Sequence, residues 1–497
     1  MRFVGIDLGT QSLKAVVCDE RFEVLGSHAI ATTTHYPHAG HAEQDPHAWE
    51  AALAPAISGA LAAAKCSAAD VTAIGVSGQL DGCVACAADG TAMQAALIWQ
   101  DKRADARLAI VTPARLFEIT GQVADAGHMA PKIRWLKAKG EALTWAPSRY
   151  HQPVTFLVER LTGAAVIDPS HASTTMLYDL LAGTWSRELL DAFGIDEREL
   201  PTIAPATSIA GALTKQGAAL TGLREGTPVA VGTGDDFATP LGAGIVDAGK
   251  LIVALGTAEV VGTIASIPVF DRPSARAETD PWRALDDAMV ETHAYPSGGF
   301  FIENPGWMSG GVVRWTTQLL GLGSDAELDA LAASAPPGAG GVTFVPALTG
   351  AMTPVWRSGA RGTLHGLGAE HDRSHVARAV LEGLAFACRD VAARLTALGL
   401  PLREAIVLGG GGRSRVWTQI RADALGIPHL VAARADTCPV GAAMIAAVAA
   451  GVVPDLRAAA ACVPTPQVAA LPQRDLDAAY ARYHTLVAVL AEHEWPR

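Results

Sequence analysis

Asp235 and Asp236 stand side by side after Gly234, just beyond the apolar run Val229 to Val231. Transfer of a phosphoryl group to an alcohol asks little of a protein beyond positioning, charge neutralisation and a base for the hydroxyl proton. One of these two acids suits that base. The same pair would also serve as an Asx turn capping the helix that follows. A third acid, Asp7, lies in Val4-Gly5-Ile6-Asp7-Leu8-Gly9-Thr10-Gln11-Ser12-Leu13-Lys14-Ala15-Val16-Val17, two apolar runs of strand character joined by a tight turn at Gly9. Successive N–H groups in such a turn can face an anion, and Thr10, Gln11 and Ser12 add side-chain donors. Ionised Asp7 only accepts, so it would repel a phosphate unless a cation lay between them. The combination points to a nucleotide with Mg2+; a plain N-terminal hairpin with an edge carboxylate is the alternative.

Half a chain later Leu251-Ile252-Val253-Ala254-Leu255-Gly256-Thr257-Ala258-Glu259-Val260-Val261 repeats Leu-Gly-Thr with the same apolar flanks. A repeat at this distance predicts two halves of related topology, each presenting one hairpin to a ligand between them. Asp7 of the first copy is Ala254 in the second. The strand itself therefore does not demand an acid, and Asp7 is assigned a metal role. A Gly-rich turn, Gly409 to Gly412 with Arg413 and Ser414, follows the strand Ala405 to Leu408 and opens a helix, so that backbone can approach a flat ligand there. Asp436 lies at the distance a Rossmann acid would take from it. The lateness of the turn, the absence of a following βαβ pattern and the two unexplained hairpins argue against a dehydrogenase.

The elements that must position these groups follow from pattern. At 497 residues, half of them apolar, the chain predicts two domains of about 240 residues. Asp45 and Pro46 open a helix to about Lys65, as N-cap and first helical residue. Val71 to Ser77 reads as a buried strand ending in Gly78-Gln79-Leu80-Asp81-Gly82, and polar tips at carboxyl ends of strands are where α/β sheets hold ligands. From Thr112 to Leu223 the pattern is largely helical, with Trp135, Trp145 and Trp185 available for packing; His128, His151 and His171 read as surface or satisfied core residues. Helices are expected over Gly310 to Leu320, Ser374 to Leu398 and Val416 to Ala424. A last helix from Asp475 places Leu476, Tyr480, Tyr483 and Val487 on one face and is expected to dock on the N-terminal domain.

Composition closes several routes. A net charge of -12, from 38 Lys plus Arg against 50 Asp plus Glu, leaves no basic surface for nucleic acid. Seven scattered cysteines argue against a secreted disulfide framework and for the reducing cytoplasm. Cys83-x-x-Cys86 has no second pair or nearby His to complete a zinc site and reads as core thiols. Asp7 interrupts the first apolar run, so no signal peptide is expected, and the longest apolar stretch, Ala442 to Val453, is too short for a bilayer.

Asp7-Leu8-Gly9-Thr10, Trp99-x-Asp101-x-Arg103, Gly234-Asp235, Leu255-Gly256-Thr257, Leu348-Thr349-Gly350 with Thr353-Pro354, and Gly409-Gly410-Gly411 with Arg413-Ser414 resemble, in this order, the FGGY carbohydrate kinases. Glu43-Gln44-Asp45-Pro46, Gly78-Gln79 and Trp417 after the glycine run look most like the xylulokinases within that family. The resemblance implies an α/β fold of two actin- and hexokinase-like (ribonuclease H-like) domains, with mixed five-stranded sheets and an active-site cleft between them. It places the N-terminal sugar-binding domain at 1–243, the C-terminal nucleotide-binding domain at 244–470 and the terminal helix at 471–497. By position, Asp235 would be the base and Asp7 would hold Mg2+ through water. Gly9, Thr10, Gln11, Ser12, Gly256 and Thr257 would cradle phosphates, with Gly310, Arg314, Gly410 and Ser414 lining the nucleotide. Sugar contacts map to Gln79, Leu80, Asp81, Trp99, Asp101, Asp235 and Asp236. The implied partners are ATP and a small sugar or polyol, without nucleic acid or membrane, and a homodimer is the assembly to test for.

Two departures bear on the acceptor. Where xylulokinases usually show Gln-Met-His-Gly this chain has Gln79-Leu80-Asp81-Gly82, and where Asn usually follows the base it has Asp236. A carboxylate accepts from hydroxyls but offers a carbonyl oxygen no donor. D-xylulose is the acceptor by family weight; a polyol or another ketopentose (xylitol, D-arabinitol, erythritol, L-xylulose, D-ribulose) is the alternative. A sugar-indifferent ATPase of the actin or chaperone type would use the hairpins without a sugar pocket, and the Gln79, Trp99 and Asp101 cluster argues against it.

Overall fold

Parallel strands with long crossovers and two antiparallel hairpins shape the chain. Its structure, a computed structural model, describes residues 1–140, 148–280 and 287–495. Trp145, offered above for packing, lies outside the described residues. The residues divide into two compact units, the first of 1–246, 293–300 and 436–464, the second of 247–292, 301–435 and 465–497.

The first unit is built on strands β1 (Arg2–Leu8), β2 (Ser12–Cys18), β3 (Val24–Ala31), β4 (Val71–Gly78), β5 (Ile209–Ala212), β6 (Pro228–Ala230) and β7 (Thr233–Gly234). They form a seven-stranded mixed sheet in the order β5-β6-β4-β1-β2-β3, with β7 also paired to β4. β1 and β2 are the expected antiparallel hairpin, and β4 runs parallel to β1, β6 and β7. Val4, Ile6 and Leu8 with Leu13, Ala15 and Val17 bury one face of β1 and β2, and Phe3, Val16 and Cys18 bury the other. One face packs on helix Pro46–Ala64, where Asp45 caps the first turn by accepting from the His47 N–H. Helix Thr437–Ala449 covers the other face.

A second sheet repeats the plan with β8 (Lys250–Leu255), β9 (Ala258–Ala265), β10 (Glu291–Ala294), β11 (Phe300–Met308), β12 (Glu404–Leu408), β13 (His429–Val431) and β14 (Gln467–Ala470), ordered β10-β11-β9-β8-β12-β13-β14. Here β8 and β9 are the antiparallel hairpin, and β12 lies parallel to both β8 and β13. The five strands β3-β2-β1-β4-β6 therefore match β11-β9-β8-β12-β13, and two further strands widen each five-stranded core to seven.

The domain boundaries differ from expectation in two places. Residues 436–464 return to the first unit, because the small-residue face of helix Thr437–Ala449 lies directly on β1 and β4. The terminal helix Asp477–His493 belongs to the second unit, not to the N-terminal domain. Its Tyr480 and Tyr483 rings pack 5.7 and 5.5 Å from Phe386 in helix Arg373–Ala397, and the Tyr480 hydroxyl donates to Asp390 at 2.6 Å. Among the described residues no helix is long and apolar enough to cross a membrane.

Candidate active site

Three adjacent parallel strands, β1, β4 and β7, end side by side. Their register aligns Asp7 with Ser77, and Ser77 and Gly78 with Thr233 and Gly234. β7 runs directly into helix Asp235–Gly242, so Asp235 and Asp236 occupy its first turn. The Leu80 side chain packs tightly on Gly234, reaching to 1.8 Å from where a Cβ would stand. Acids thus gather at the carboxyl edge of the sheet, and each feels the next. Burial, then the Asp236 and Asp7 charges, push Asp235 well above the usual carboxylate range. Burial lifts Asp236 to about 6, with His293 opposing and Asp81 adding to the rise. Burial lifts Asp7 to about 6, opposed by a hydrogen bond from Cys438 and by the Lys14 charge across the hairpin, while Asp436 adds to the rise. A helix N-terminus favours carboxylate charge by about 0.3–1 kcal/mol, so at Asp235 and Asp236 burial and mutual repulsion outweigh it.

The tip after β4 is held from below. Asp81 adopts a left-handed backbone conformation, φ 58°. Its N–H donates to Gln152 Oε1 at 2.8 Å and its carbonyl accepts from the buried Lys132 ammonium at 2.7 Å. Burial lowers the Lys132 pKa to about 8. Asp81 Oδ1 lies 3.2 Å from His128 Nδ1. Gln79 is buried; its Nε2 donates to Gln44 at 2.9 Å, and its Oε1 has no hydrogen-bond partner among the described residues. The Trp99 ring is 37% exposed, and its Nε1 donates to the Thr10 hydroxyl at 3.0 Å. Gln44 and Thr32 both donate to the Thr10 carbonyl. Gly9 N–H closes the hairpin on the Ser12 carbonyl, leaving Gln11 exposed at the tip.

Asp101 stands apart from the expected sugar contacts. It is fully buried, and both oxygens are engaged by Arg103, with the Ala42 N–H on Oδ2 at 2.7 Å. Arg103 continues to Glu43. Asp101 is therefore scaffold beneath Trp99 rather than a ligand contact. His128 is a buried core residue, as expected, and it backs Asp81. His151 is a core residue satisfied by Thr155 and Glu159. His171 is fully buried with neither ring nitrogen paired among the described residues, and burial drops its pKa to about 3, so the ring is neutral.

In the second unit, Gly256 and Thr257 form an exposed hairpin tip. The Thr257 carbonyl accepts from the Ser309 and Gly311 N–H groups, both at 3.0 Å, which sets helix Gly310–Leu319 to start against the tip. A Cβ on Gly310 would lie 2.3 Å from the Gly256 carbonyl oxygen. Free N–H groups of a helix start beside a hairpin tip suit an anion. Arg314, one turn on, is exposed and makes no hydrogen bond among the described residues. Gly410 has open space where a side chain would stand. The Ser414 hydroxyl is committed to capping helix Arg415–Leu425, accepting from the Trp417 N–H at 3.0 Å.

Several residues that shape both halves escaped the sequence reading. Glu259 is buried in β9, paired bidentately with Arg421 at 2.6 Å on each oxygen and accepting from Ser309 Oγ at 2.7 Å. Its signal was a lone acid in the apolar run after Thr257. Gln152, Lys132, His128, His293 and Cys438 carry no local signal.

Residues 2–242 match the model of the N-terminal domain of the FGGY family of carbohydrate kinases, and residues 251–450 that of its C-terminal domain. The chain belongs to the FGGY family of carbohydrate kinases. It is 30% identical over 452 residues to a xylulose kinase of Escherichia coli K12, covering 90% of each chain. It is 33% identical over 508 residues to a glycerol kinase of Gloeobacter violaceus, covering 99% of this chain and 97% of the other. The crystal structure of a xyloylose kinase from Brucella ovis superposes with a TM-score of 0.89 at 30% identity, over 99% of this chain and 100% of that one. An FGGY kinase is a phosphotransferase that takes phosphate from ATP and delivers it to an alcohol group of a sugar or polyol. The two sheets and their hairpins are the fold these kinases share.

Proposed function

We propose that this kinase phosphorylates an open-chain pentulose, D-xylulose to D-xylulose 5-phosphate, with Asp235 as the base. The observation that carries the reading is Asp235 itself, a carboxylate at the carboxyl end of three parallel strands whose proton affinity is raised by burial and by two neighbouring acids. The attacking hydroxyl gives its proton to Asp235 as its oxygen bonds to the γ-phosphorus; the bond to the bridging oxygen breaks and ADP departs with that electron pair. The raised affinity strengthens Asp235 as a base. Relatives named xylulose kinase support the ketose, and the seven free thiols suit a reducing cytoplasm.

Asp7 fits a cation. It is half-buried, with the Asp436 charge opposing its own and the Cys438 thiol and Lys14 offsetting it. As the family resemblance implies, Asp7 would hold Mg2+ through water. When bound, Mg2+ neutralises charge on the phosphates. By the family resemblance, Gly9, Thr10, Gln11 and Ser12 in the first unit would face phosphate; in the second unit Gly256 and Thr257 would do so, and Gly310, Arg314, Gly410 and Ser414 would line the nucleotide, Ser414 by fixing its helix.

A second reading concerns the acceptor. Asp81, Asp236 and the unpaired Gln79 Oε1 give the sugar side three acceptors, while the single Trp99 N–H is already engaged by Thr10. Such a wall suits hydroxyls better than a carbonyl, favouring a polyol such as xylitol or D-arabinitol. Coupled ADP release across D-xylulose, L-xylulose, D-ribulose, xylitol, D-arabinitol, erythritol and glycerol separates the two. D-xylulose giving the highest kcat/KM upholds the ketose; a pentitol doing so replaces it. In the same assay Asp235→Ala should lower kcat by at least about a hundredfold while leaving ATP affinity unchanged, and a substantial residual rate would remove Asp235 as the base.

A further inference from the structure

Helix Thr437–Ala449 is seated on the sheet through glycines of β1 and β4. Its Pro439 carbonyl oxygen lies 1.8 Å from where a Gly5 Cβ would be, and its Ala442 carbonyl oxygen 1.9 Å from a Gly75 Cβ. Gly5 and Gly75 each lie two residues before the aligned pair Asp7 and Ser77. Contact this close fixes the helix start, and with it Cys438, against that pair. Cys438 Sγ lies 3.2 Å from Ser77 Oγ and is hydrogen-bonded to the Asp7 carboxyl group. Ser77 in turn donates to the Ile6 carbonyl at 3.1 Å. At Asp7 the thiol is the donor, because an ionised carboxylate has no hydrogen to give; Ser77, with its one hydrogen on the Ile6 carbonyl, only packs against the sulfur. On its other side Asp7 faces Lys14, which is itself tied to Asp436 at 2.8 Å, two residues before the thiol.

We infer that Cys438 is a positioning residue, its S–H holding the Asp7 carboxylate in the orientation that receives the nucleotide's Mg2+. The inference rests on the metal reading of Asp7 and adds to it the group that aims the carboxylate. A thiol at this place could instead be there to fill space, and two substitutions separate the possibilities. Cys438→Ser keeps a donor and loses volume, whereas Cys438→Val keeps volume and loses the donor.

The measurement is ADP affinity of the full-length protein by isothermal titration calorimetry, in Mg2+ and in EDTA, the ratio of the two dissociation constants reporting the coupling of metal to nucleotide. Cys438→Ser should hold that ratio within about twofold of the parent, and Cys438→Val should shrink it about three- to tenfold, as loss of one hydrogen bond to a charged group allows. Affinity in EDTA should be unchanged in both. Should the valine variant not fold, as judged by its melting transition, Cys438→Ala carries the same expectation. A parental ratio in the donor-less variant, or a ratio lost equally in the serine variant, overturns the inference. Asp7→Asn is measured alongside. If it leaves the ratio intact, the metal reading of Asp7 fails; if it abolishes the ratio and Cys438→Val does not, Asp7 stands and only the role of Cys438 falls.

Discussion

Asp236 carries a carboxylate that the folded chain holds against its own preference. Its pKa rises from an ordinary 3.8 to about 6, mainly through burial, so the folded state binds this proton more tightly than the unfolded chain does. The sign follows from linkage: stability contributed by this group falls as pH rises from about 4 to about 6, and the whole penalty persists above. Asp236→Asn removes it. The variant should melt higher than the parent at pH 8, by a stability gain on the order of 1–3 kcal/mol reduced by what His293 loses in its partner, and the gain should vanish near pH 4. Thermal melts at the two pH values check this, and an equal shift at both would show that ionisation is not the cause. That natural sequence keeps a destabilising acid here is what a substrate contact would require. The acids themselves were legible, because Asp7 and Asp235 abut glycine turns at strand ends. Their supports were not. The contacts of Asp81 with His128 and Gln152, and of Ser77 with Cys438, span 47, 71 and 361 residues, and no local pattern records a pairing at that distance. Asp101 was misread for the converse reason: a sequence shows an acid beside Trp99 but not that Arg103, two residues on, folds back to consume it.

Strands and hairpins were easier to read than the packing of helices. Leu-Gly-Thr recurs with the same flanks in both halves, and both hairpins formed where expected. An amphipathic face on the terminal helix showed that it packs on something, and only the tertiary contacts of Tyr480 and Tyr483 with Phe386 show on what. The contact of helix Thr437–Ala449 with helix Asp235–Gly242 is similar. A Cβ on Gly441 would stand 2.1 Å from the Ala238 carbonyl oxygen of helix Asp235–Gly242, and one on Gly242 would stand 1.8 Å from the Thr437 carbonyl oxygen. Backbone meets backbone here, so no flexible side chain can yield. Gly441→Ala must push apart the two helices that bring Asp235 and Cys438 to the sheet edge. Overpacking of this kind costs about 1–3 kcal/mol, read as a lower urea midpoint. The displacement reaches both helix starts, so kcat should fall as well; a loss of stability with parental kcat would mean that the helices separate without moving the acids.

On the scale of the whole chain, the first unit is completed by a segment that arrives last. Val440, Ala443, Met444 and Ala447 from helix Thr437–Ala449 close an apolar cluster with Phe3, Val16, Ala73 and Ala230. Nothing within residues 1–246 replaces them. A fragment ending at Val246 therefore leaves one face of its main sheet open to water, with alanines and glycines too small to shield it, and a patch of that kind drives association. The fragment should bind a hydrophobic dye, lack near-ultraviolet circular dichroism and aggregate on concentration. Joining residues 436–464 to Val246 through a flexible Gly/Ser linker restores the missing face and should recover a cooperative urea transition, because loop closure costs little extra as the linker lengthens. If the 1–246 fragment unfolds cooperatively by itself, helix Thr437–Ala449 is an ornament on a complete domain. If only the linked form does, the first unit cannot finish folding until nearly the whole chain has been made, and the acid cluster at its sheet edge forms no earlier.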